Sequence, residues 1–91
     1  TFLQVNKDTF IEMAPPAPDQ PVGLTHIGLY ADDAATSVLQ FRAAGVTLND
    51  AQPSAQSGSK LSNITDPNGI RIEINEQPVG SLMRKAIDTW K

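Results

Sequence analysis

The sequence contains no cysteine, which excludes several classes of site at once. Without thiols there is no disulfide framework, no thiolate nucleophile and no thiolate metal site, so a metal ion would be held by histidine, carboxylate, amide or water. Histidine is almost as scarce, since His26 is the only one. A catalytic pair of histidines within one chain is therefore excluded, and a serine nucleophile with a histidine base has no local support.

Positive charge is also in short supply. The chain has 7 Lys+Arg against 10 Asp+Glu, for a net charge of -3, and no stretch is basic enough to neutralise a row of phosphates. Apolar runs fall far short of the roughly 20 residues that cross a bilayer, and no signal-peptide pattern opens the chain. We therefore expect a cytoplasmic protein that binds neither nucleic acid nor membrane.

The first third of the chain predicts a hairpin and a linker. Residues 2–5 and 9–13 are β-prone, and residues 6–8 between them form turns readily. Residues 14–21 hold four prolines in eight positions, which favours an extended linker. A proline-rich recognition ligand is the alternative, but no basic residue flanks the prolines. Because the chain opens at Thr1 directly on a strand pattern, we expect that a preceding segment is missing.

A strand and a capped helix are predicted next. Residues 24–30 alternate as a strand, with His26, Gly28 and Tyr30 on one face. Asp32 and Asp33 offer a cap for a helix over residues 34–44, and Gly45 suits its C-terminal end.

The remaining elements follow from turn chemistry and helical spacing. We predict a strand at 46–48, a mobile polar loop at 49–59 that could serve as a lid, and a hairpin of strands 60–65 and 70–76. After Pro78 the apolar residues recur at spacings of three and four, which predicts an amphipathic helix that covers an apolar face or a subunit contact. A membrane-surface role fits less well, because its polar face carries both signs of charge.

The polar side chains of these strands are the candidates for a functional site. In residues 70–76 the isoleucines share one face, so Arg71, Glu73 and Asn75 project from the other. Glu12 lies near the end of the first hairpin. A strand with His26 thus begins a βαβββ order, a strand with Glu73 ends it, and neighbouring strands can bring such residues to one concave face.

These residues resemble the vicinal oxygen chelate superfamily, which includes glyoxalase I, bleomycin-resistance proteins, fosfomycin-modifying enzymes and extradiol dioxygenases. The resemblance covers about residues 1 to 76 and is strongest at Thr65-Asp66-Pro67-Asn68-Gly69-Ile70-Arg71-Ile72-Glu73-Ile74. It implies an α+β fold, specifically a glyoxalase-like βαβββ module with a preceding β-hairpin and a C-terminal helix. The implied division is 1–13 as the tail of a first module, 14–23 as linker, 24–76 as the βαβββ module and 77–91 as the C-terminal helix.

The resemblance also implies a divalent metal ion held by His26, Glu73 and Glu12. The metal would be Zn, Ni, Fe, Mn or Co, because nitrogen and oxygen donors suit all of them. In the family two modules pair to form a cup, whereas most of the first module and its fourth ligand position are absent here. A preceding segment or a second copy in a homodimer would supply them.

The expected function is that of a metal-dependent lyase/isomerase or dioxygenase acting on a small oxygen-rich substrate. Glu73 or Glu12 would be the catalytic base, and the dioxygenase requires a second histidine that this chain lacks. Tyr30 and Arg71 are candidate contacts to an anionic substrate, although packing for Tyr30 and a surface charge for Arg71 are the favoured explanations. The alternative function is a nonenzymatic small-molecule binding protein of the bleomycin-resistance type, and a third is an accessory protein whose inherited site is unused.

Overall fold

Two separate β-sheets and two helices make up the computed structural model, which describes residues 1–91. This arrangement confirms the predicted α+β class. The elements in chain order are β1 (Phe2–Asn6), β2 (Thr9–Glu12), β3 (His26–Tyr30), α1 (Ala34–Ala43), β4 (Gln52–Pro53), β5 (Lys60–Thr65), β6 (Arg71–Glu76) and α2 (Leu82–Asp88).

The first sheet is the hairpin of β1 and β2, which pair antiparallel from Phe2 opposite Glu12. Asn6 shapes its turn, since its side-chain oxygen accepts a hydrogen bond from the Asp8 amide at 3.3 Å. The exposed linker that follows reaches residue 25, because the ladder to β6 begins at His26. Strand β3 is therefore two residues shorter at its start than the sequence predicts.

The second sheet has the strand order β3-β6-β5-β4. Strands β3 and β6 are parallel, and the other pairs are antiparallel. Because paired residues in a sheet project to the same side, the register of His26 with Arg71 and of Gly28 with Glu73 places these side chains on one face. That face is open to the hairpin, whereas α1 packs against the other.

The core between α1 and the sheet is small. Only 10 of 91 residues are buried, so each apolar side chain there matters. Ala34 is fully buried and Val38 nearly so, and Ile74 of β6 is 3% exposed. The start of the helix is tied to the sheet, because the Ala34 amide donates to Glu76 Oε1 at 2.8 Å.

Both ends of α1 are capped as the sequence predicts. Asp33 is the N-terminal cap, and its Oδ1 accepts a hydrogen bond from the Thr36 amide at 3.0 Å. At the other end Gly45 has φ of 89°, and the Val46 amide donates to the Phe41 carbonyl at 3.0 Å. This last bond is the 6→1 contact of a Schellman motif, which requires the left-handed residue that glycine supplies.

Asp33 is expected to make stability depend on acid pH. The hydrogen bond from the Thr36 amide holds the pKa of this carboxyl below its ordinary value. Its contribution is therefore complete above the unfolded pKa, near about pH 4, and is lost as pH falls through the lowered folded value. Asp33→Asn keeps a capping oxygen but has no carboxyl to protonate. We therefore expect its melting temperature to fall less than that of the wild type between about pH 5 and 2. Thermal melts by circular dichroism measure this, and identical slopes would contradict it.

The strand predicted at residues 46–48 is wrong. Leu48 is buried, but its backbone lies outside the ladder, and its carbonyl accepts from Arg42 Nη2 at 2.8 Å. Beside it, Asn49 Oδ1 accepts from the Asn63 amide at 2.9 Å, and the Asn49 carbonyl accepts from Ser62 Oγ at 2.6 Å. Side chains thus replace the backbone pairing, and the edge strand forms later as β4.

The loop before β5 is anchored by a buried polar network. Ser59 Oγ donates to Gln77 Oε1 at 2.7 Å, and Ser81, which begins α2, donates to the same oxygen at 3.4 Å. The Leu82 amide donates to the Ser57 carbonyl at 2.9 Å. These bonds tie Ser57 and Ser59 to the segment around the start of α2, so this part of the loop forms a wall there, and its role as a lid stays a prediction.

The C-terminal helix is shorter than its apolar spacing predicts. It begins at Leu82 because residues 78–81 form a turn, in which the Ser81 amide donates to the Pro78 carbonyl at 2.9 Å. Met83 is buried, whereas Leu82 and Trp90 remain about half exposed. No helix in the structure has the length and apolar character needed to span a membrane.

Candidate metal centre

His26, Glu73 and Glu12 lie together although they come from three different strands. His26 opens β3, Glu73 is in the middle of β6, and Glu12 ends β2 of the hairpin. Glu12 Oε2 is 3.4 Å from His26 Nε2, and Glu73 Oε2 is 3.9 Å from the same nitrogen. The His26 and Glu73 side chains are mostly buried, at 18% and 15% exposed, and Glu12 is 45% exposed.

These separations are close to what a shared ion requires. Bonds of about 2.1 Å at angles of 90–109° place two ligand atoms about 3.0–3.4 Å apart. The His26–Glu12 distance falls at the upper end of this interval, and the His26–Glu73 distance exceeds it by about half an ångström. The structure holds no group of three such side chains already arranged as metal ligands. Coordination would thus need a small inward movement of Glu73.

A row of polar side chains orients Glu73. Asn75 Nδ2 donates to Glu73 Oε1 at 2.8 Å, and Gln77 Nε2 donates to Asn75 Oδ1 in turn. Gln77 is held by Ser59, as described above. One carboxylate oxygen of Glu73 is therefore fixed while Oε2 stays directed at His26, an arrangement typical of supporting contacts around metal ligands.

Asn63 supplies a further uncommitted oxygen on this face. It pairs with Glu73 across β5 and β6, so its side chain projects to the same side. Its Oδ1 is buried and has no hydrogen-bond partner. A buried acceptor without a partner costs free energy, so this oxygen is one that a donor or a cation could satisfy. His26, Glu73 and Glu12 offer nitrogen and oxygen atoms of the kind that divalent ions accept.

A cavity of about 510 Å³ adjoins this cluster, between the hairpin, β3 and α2. Its size lies within the range of small-molecule sites. His26, Glu12, Glu73 and Tyr30 all line it, together with apolar side chains that include Phe2, Phe10, Leu61, Met83 and Ile87.

Arg71 occupies a different position from the one predicted for a substrate contact. Its Nη2 lies 3.0 Å from His26 Nδ1, on the side of the ring away from the carboxylates. It borders a shallow groove along the linker, whereas the main cavity is lined by other residues. Thr25 Oγ1 approaches the same ring nitrogen at 2.9 Å.

The sequence pointed to only some of the residues that shape the site. Asn75 and Gln77 follow Glu73 at a spacing of two, so their shared face was visible in the alternation of β6. Thr25 precedes His26 directly and Ser59 is 14 residues from Glu73, and neither carries a signal of its role. Their contribution depends on side-chain rotamers and on loop placement.

A solved structure resembles this chain over most of its length. The crystal structure of SMU.1112c matches with a TM-score of 0.60 and 28% sequence identity, over 70% of this chain and 51% of that chain. The chain thus spans about half the length of that protein. No protein-family model matches the sequence, and no curated protein does. The similarity concerns the fold of the matched part.

Proposed function

We propose that this chain binds a divalent metal ion through His26, Glu73 and Glu12 on a glyoxalase-like fold. The observation that carries the proposal is the convergence of two carboxylates on one imidazole nitrogen, at 3.4 and 3.9 Å. The βαβββ order of β3 to β6 and the strand order β3-β6-β5-β4 support the fold. The adjoining cavity, which His26, Glu73 and Glu12 line, supports a site that also takes a small molecule.

The proposed activity is that of a lyase or isomerase acting on a small oxygen-rich substrate. When bound, Zn, Ni, Fe, Mn or Co supplies Lewis-acid stabilisation to two neighbouring oxygens of the substrate. The two carboxylates have different roles in this proposal. Glu73 is held by Asn75 and is suited to a permanent ligand, whereas the polar contact of Glu12 is with His26 and its side chain is more exposed. Glu12 is therefore the better placed of the two to take a proton from a substrate in the cavity.

Ring-cleaving dioxygenase chemistry is a weaker candidate for the chain alone. The two-histidine, one-carboxylate arrangement of such sites needs a second histidine, and His26 is the only one in the 91 residues. A second copy in a homodimer could contribute it only from the same position, across the interface.

The dimer itself is proposed because Leu3, Val5 and Ile11 share one half-exposed face of the hairpin. An apolar face of this kind is suited to being covered by another chain.

Metal content per chain is the measurement that tests the proposal. Purified wild type, offered each of the five metals and then desalted, is expected to retain about one ion per chain by elemental analysis. His26→Ala, which removes the only imidazole, is expected to retain none above background. A wild type that stays metal-free after each incubation would overturn the assignment.

A nonenzymatic binding protein is the second candidate, and the cavity wall favours it. Phe2, Phe10 and Met83 give the cavity an apolar wall. Such a wall holds an aromatic or aliphatic ligand without any metal. The same measurement separates the two functions, because this candidate predicts a metal-free wild type that still binds an aromatic fluorescent probe.

A further inference from the structure

The two nitrogens of His26 have opposite surroundings. Nε2 faces the carboxylates of Glu12 and Glu73, at 3.4 and 3.9 Å. Nδ1 faces Arg71 Nη2 at 3.0 Å and Thr25 Oγ1 at 2.9 Å. The ring thus lies between acceptors on one side and a cationic donor on the other, and this asymmetry fixes where its proton can be.

The guanidinium of Arg71 decides the tautomer. Arginine has only N–H donors and no acceptor, so His26 Nδ1 must accept from it and cannot itself carry a hydrogen. The ring proton is then on Nε2, directed at Glu12 and Glu73. A hydroxyl can donate or accept, so the Thr25 contact is compatible with either tautomer. Arg71 is compatible with only one.

That tautomer is the wrong one for coordination through Nε2. A metal-ligating histidine offers an unprotonated nitrogen to the ion and donates its other N–H to a nearby acceptor. Here the nitrogen beside the carboxylates carries the proton, and the nitrogen on the far side is occupied by Arg71. The contacts of His26 therefore oppose metal uptake as long as Arg71 stays in place.

We propose that Arg71 is a positioning residue that holds His26 as the Nε2–H tautomer and so opposes metal uptake. On metal uptake Arg71 leaves Nδ1, the Nε2 proton passes to water, and Nδ1 takes a proton from water. The exchange leaves the charge of the ring unchanged. Thr25 Oγ1 then accepts the new Nδ1–H and fixes the ring. This inference rests on the proposed function and adds its regulation.

The geometry makes this movement easy. Arg71 is exposed, and its guanidinium makes no ion pair with a carboxylate, so its long side chain can rotate into solvent. Thr25 directly precedes His26 in the chain and keeps its hydroxyl beside the ring in either state. Arg71 thus holds the ring in one tautomer, and Thr25 is the contact that remains after Arg71 leaves.

Nitrogen-15 NMR of the imidazole reads the tautomer directly. His26 is the only histidine, so the spectrum holds one ring and needs no assignment among several. With the ring neutral and metal absent, wild type is expected to show protonated Nε2 and unprotonated Nδ1. Arg71→Met is expected to shift the ring toward Nδ1–H. The control Lys85→Met removes one exposed positive charge from α2 and is expected to leave the wild-type pattern unchanged.

Stepwise addition of Zn²⁺ to the same samples completes the test. Zn²⁺ is expected to move the wild-type proton to Nδ1, to bind Arg71→Met about tenfold more tightly, and to bind Thr25→Val about tenfold more weakly. The Arg71→Met gain should persist at high salt, where simple charge repulsion is screened.

Two results separate this inference from the proposed function. A metal-free wild type that already carries Nδ1–H overturns the proposed role of Arg71, whatever the variants do. A ring that Zn²⁺ leaves unchanged in wild type and in Arg71→Met overturns both metal binding and the proposed role of Arg71.

Discussion

Replacing Glu73 with glutamine is expected to weaken Zn²⁺ binding by at least about a hundredfold. A neutral amide is a poor substitute for a carboxylate ligand, and changes at residues that merely support ligands already cost about 10–100-fold in affinity. Glu73 Oε2 is the free oxygen directed at His26, and its partner Oε1 is held by Asn75, so the substitution removes charge without removing shape. Competition with a chromophoric chelator measures the affinity.

Glu76→Gln is the matched control for this experiment. It makes the same change of charge on the same strand, but three residues on, so its side chain projects to the α1 face of the sheet. Its amide oxygen can still accept from the Ala34 amide. We expect it to bind Zn²⁺ like the wild type. If both variants lost affinity equally, the effect would be one of overall charge; if neither did, Glu73 would not be a ligand.

Replacing Ile74 with alanine is expected to lower the free energy of unfolding by about 3 kcal/mol and the melting temperature by roughly 15–20 °C. Ile74 is 3% exposed and lies at the centre of β6, on the face covered by α1. Because so few residues are buried, little neighbouring core is available to fill the space left by the lost methyl and methylene groups. Urea and thermal unfolding by circular dichroism measure both quantities.

Ile70→Ala makes the same chemical change at an exposed position. Ile70 is 42% exposed and lies just before β6, where its amide donates to Asp66 Oδ1 at 2.8 Å, a bond that the substitution retains. We expect it to cost well under half as much as Ile74→Ala, since the loss scales with apolar area withdrawn from water. Equal costs at the two positions would show that the α1 face of β6 is not the core.

Local chemistry allowed much of the fold to be predicted. Asp33 and Gly45 mark the two ends of α1 because a side-chain cap and a left-handed residue are needed there. Asp66 likewise organises the turn before β6, since its Oδ1 accepts from the amides of Asn68 and Ile70 at 2.9 and 2.8 Å. Such signals act within a few residues, so the printed sequence contains them.

Longer-range features were harder to predict. The strand expected at 46–48 failed because Asn49 and Ser62 make bonds that a ladder would otherwise make, and nothing local announces them. The alternation of side chains along β3 and β6 predicts which face His26 and Glu73 occupy on each strand. The parallel register that aligns the two strands is a tertiary property, so it could not be predicted in the same way. Only the resemblance to a family predicted that Glu12 lies at the same site, because no spacing rule relates a hairpin to a sheet across a linker.

The Arg71 contact shows a different kind of limit. Its position opposite His26 follows from the register of β3 and β6, whereas its sequence context suggested a possible substrate contact. Which of several polar side chains reaches a given ring nitrogen depends on rotamers and not on alternation. The proposed tautomer of His26 therefore depends on a contact that the sequence does not predict.

The linker from residue 14 to residue 25 also determines how Glu12 reaches the site. The hairpin that carries Glu12 makes two polar contacts with the rest of the protein, namely the Glu12–His26 pair and a bond of 3.1 Å from Gln4 Nε2 to the Ala86 carbonyl. Glu12 is therefore a tethered group whose effective concentration at His26 is set by the span and stiffness of the tether. The prolines keep that tether extended, whereas doubling its length with flexible residues would cost only about 0.6 kcal/mol in closure entropy. The strand that carries Glu12 is thus adjustable in a way that β3 and β6, which are fixed in one sheet, are not.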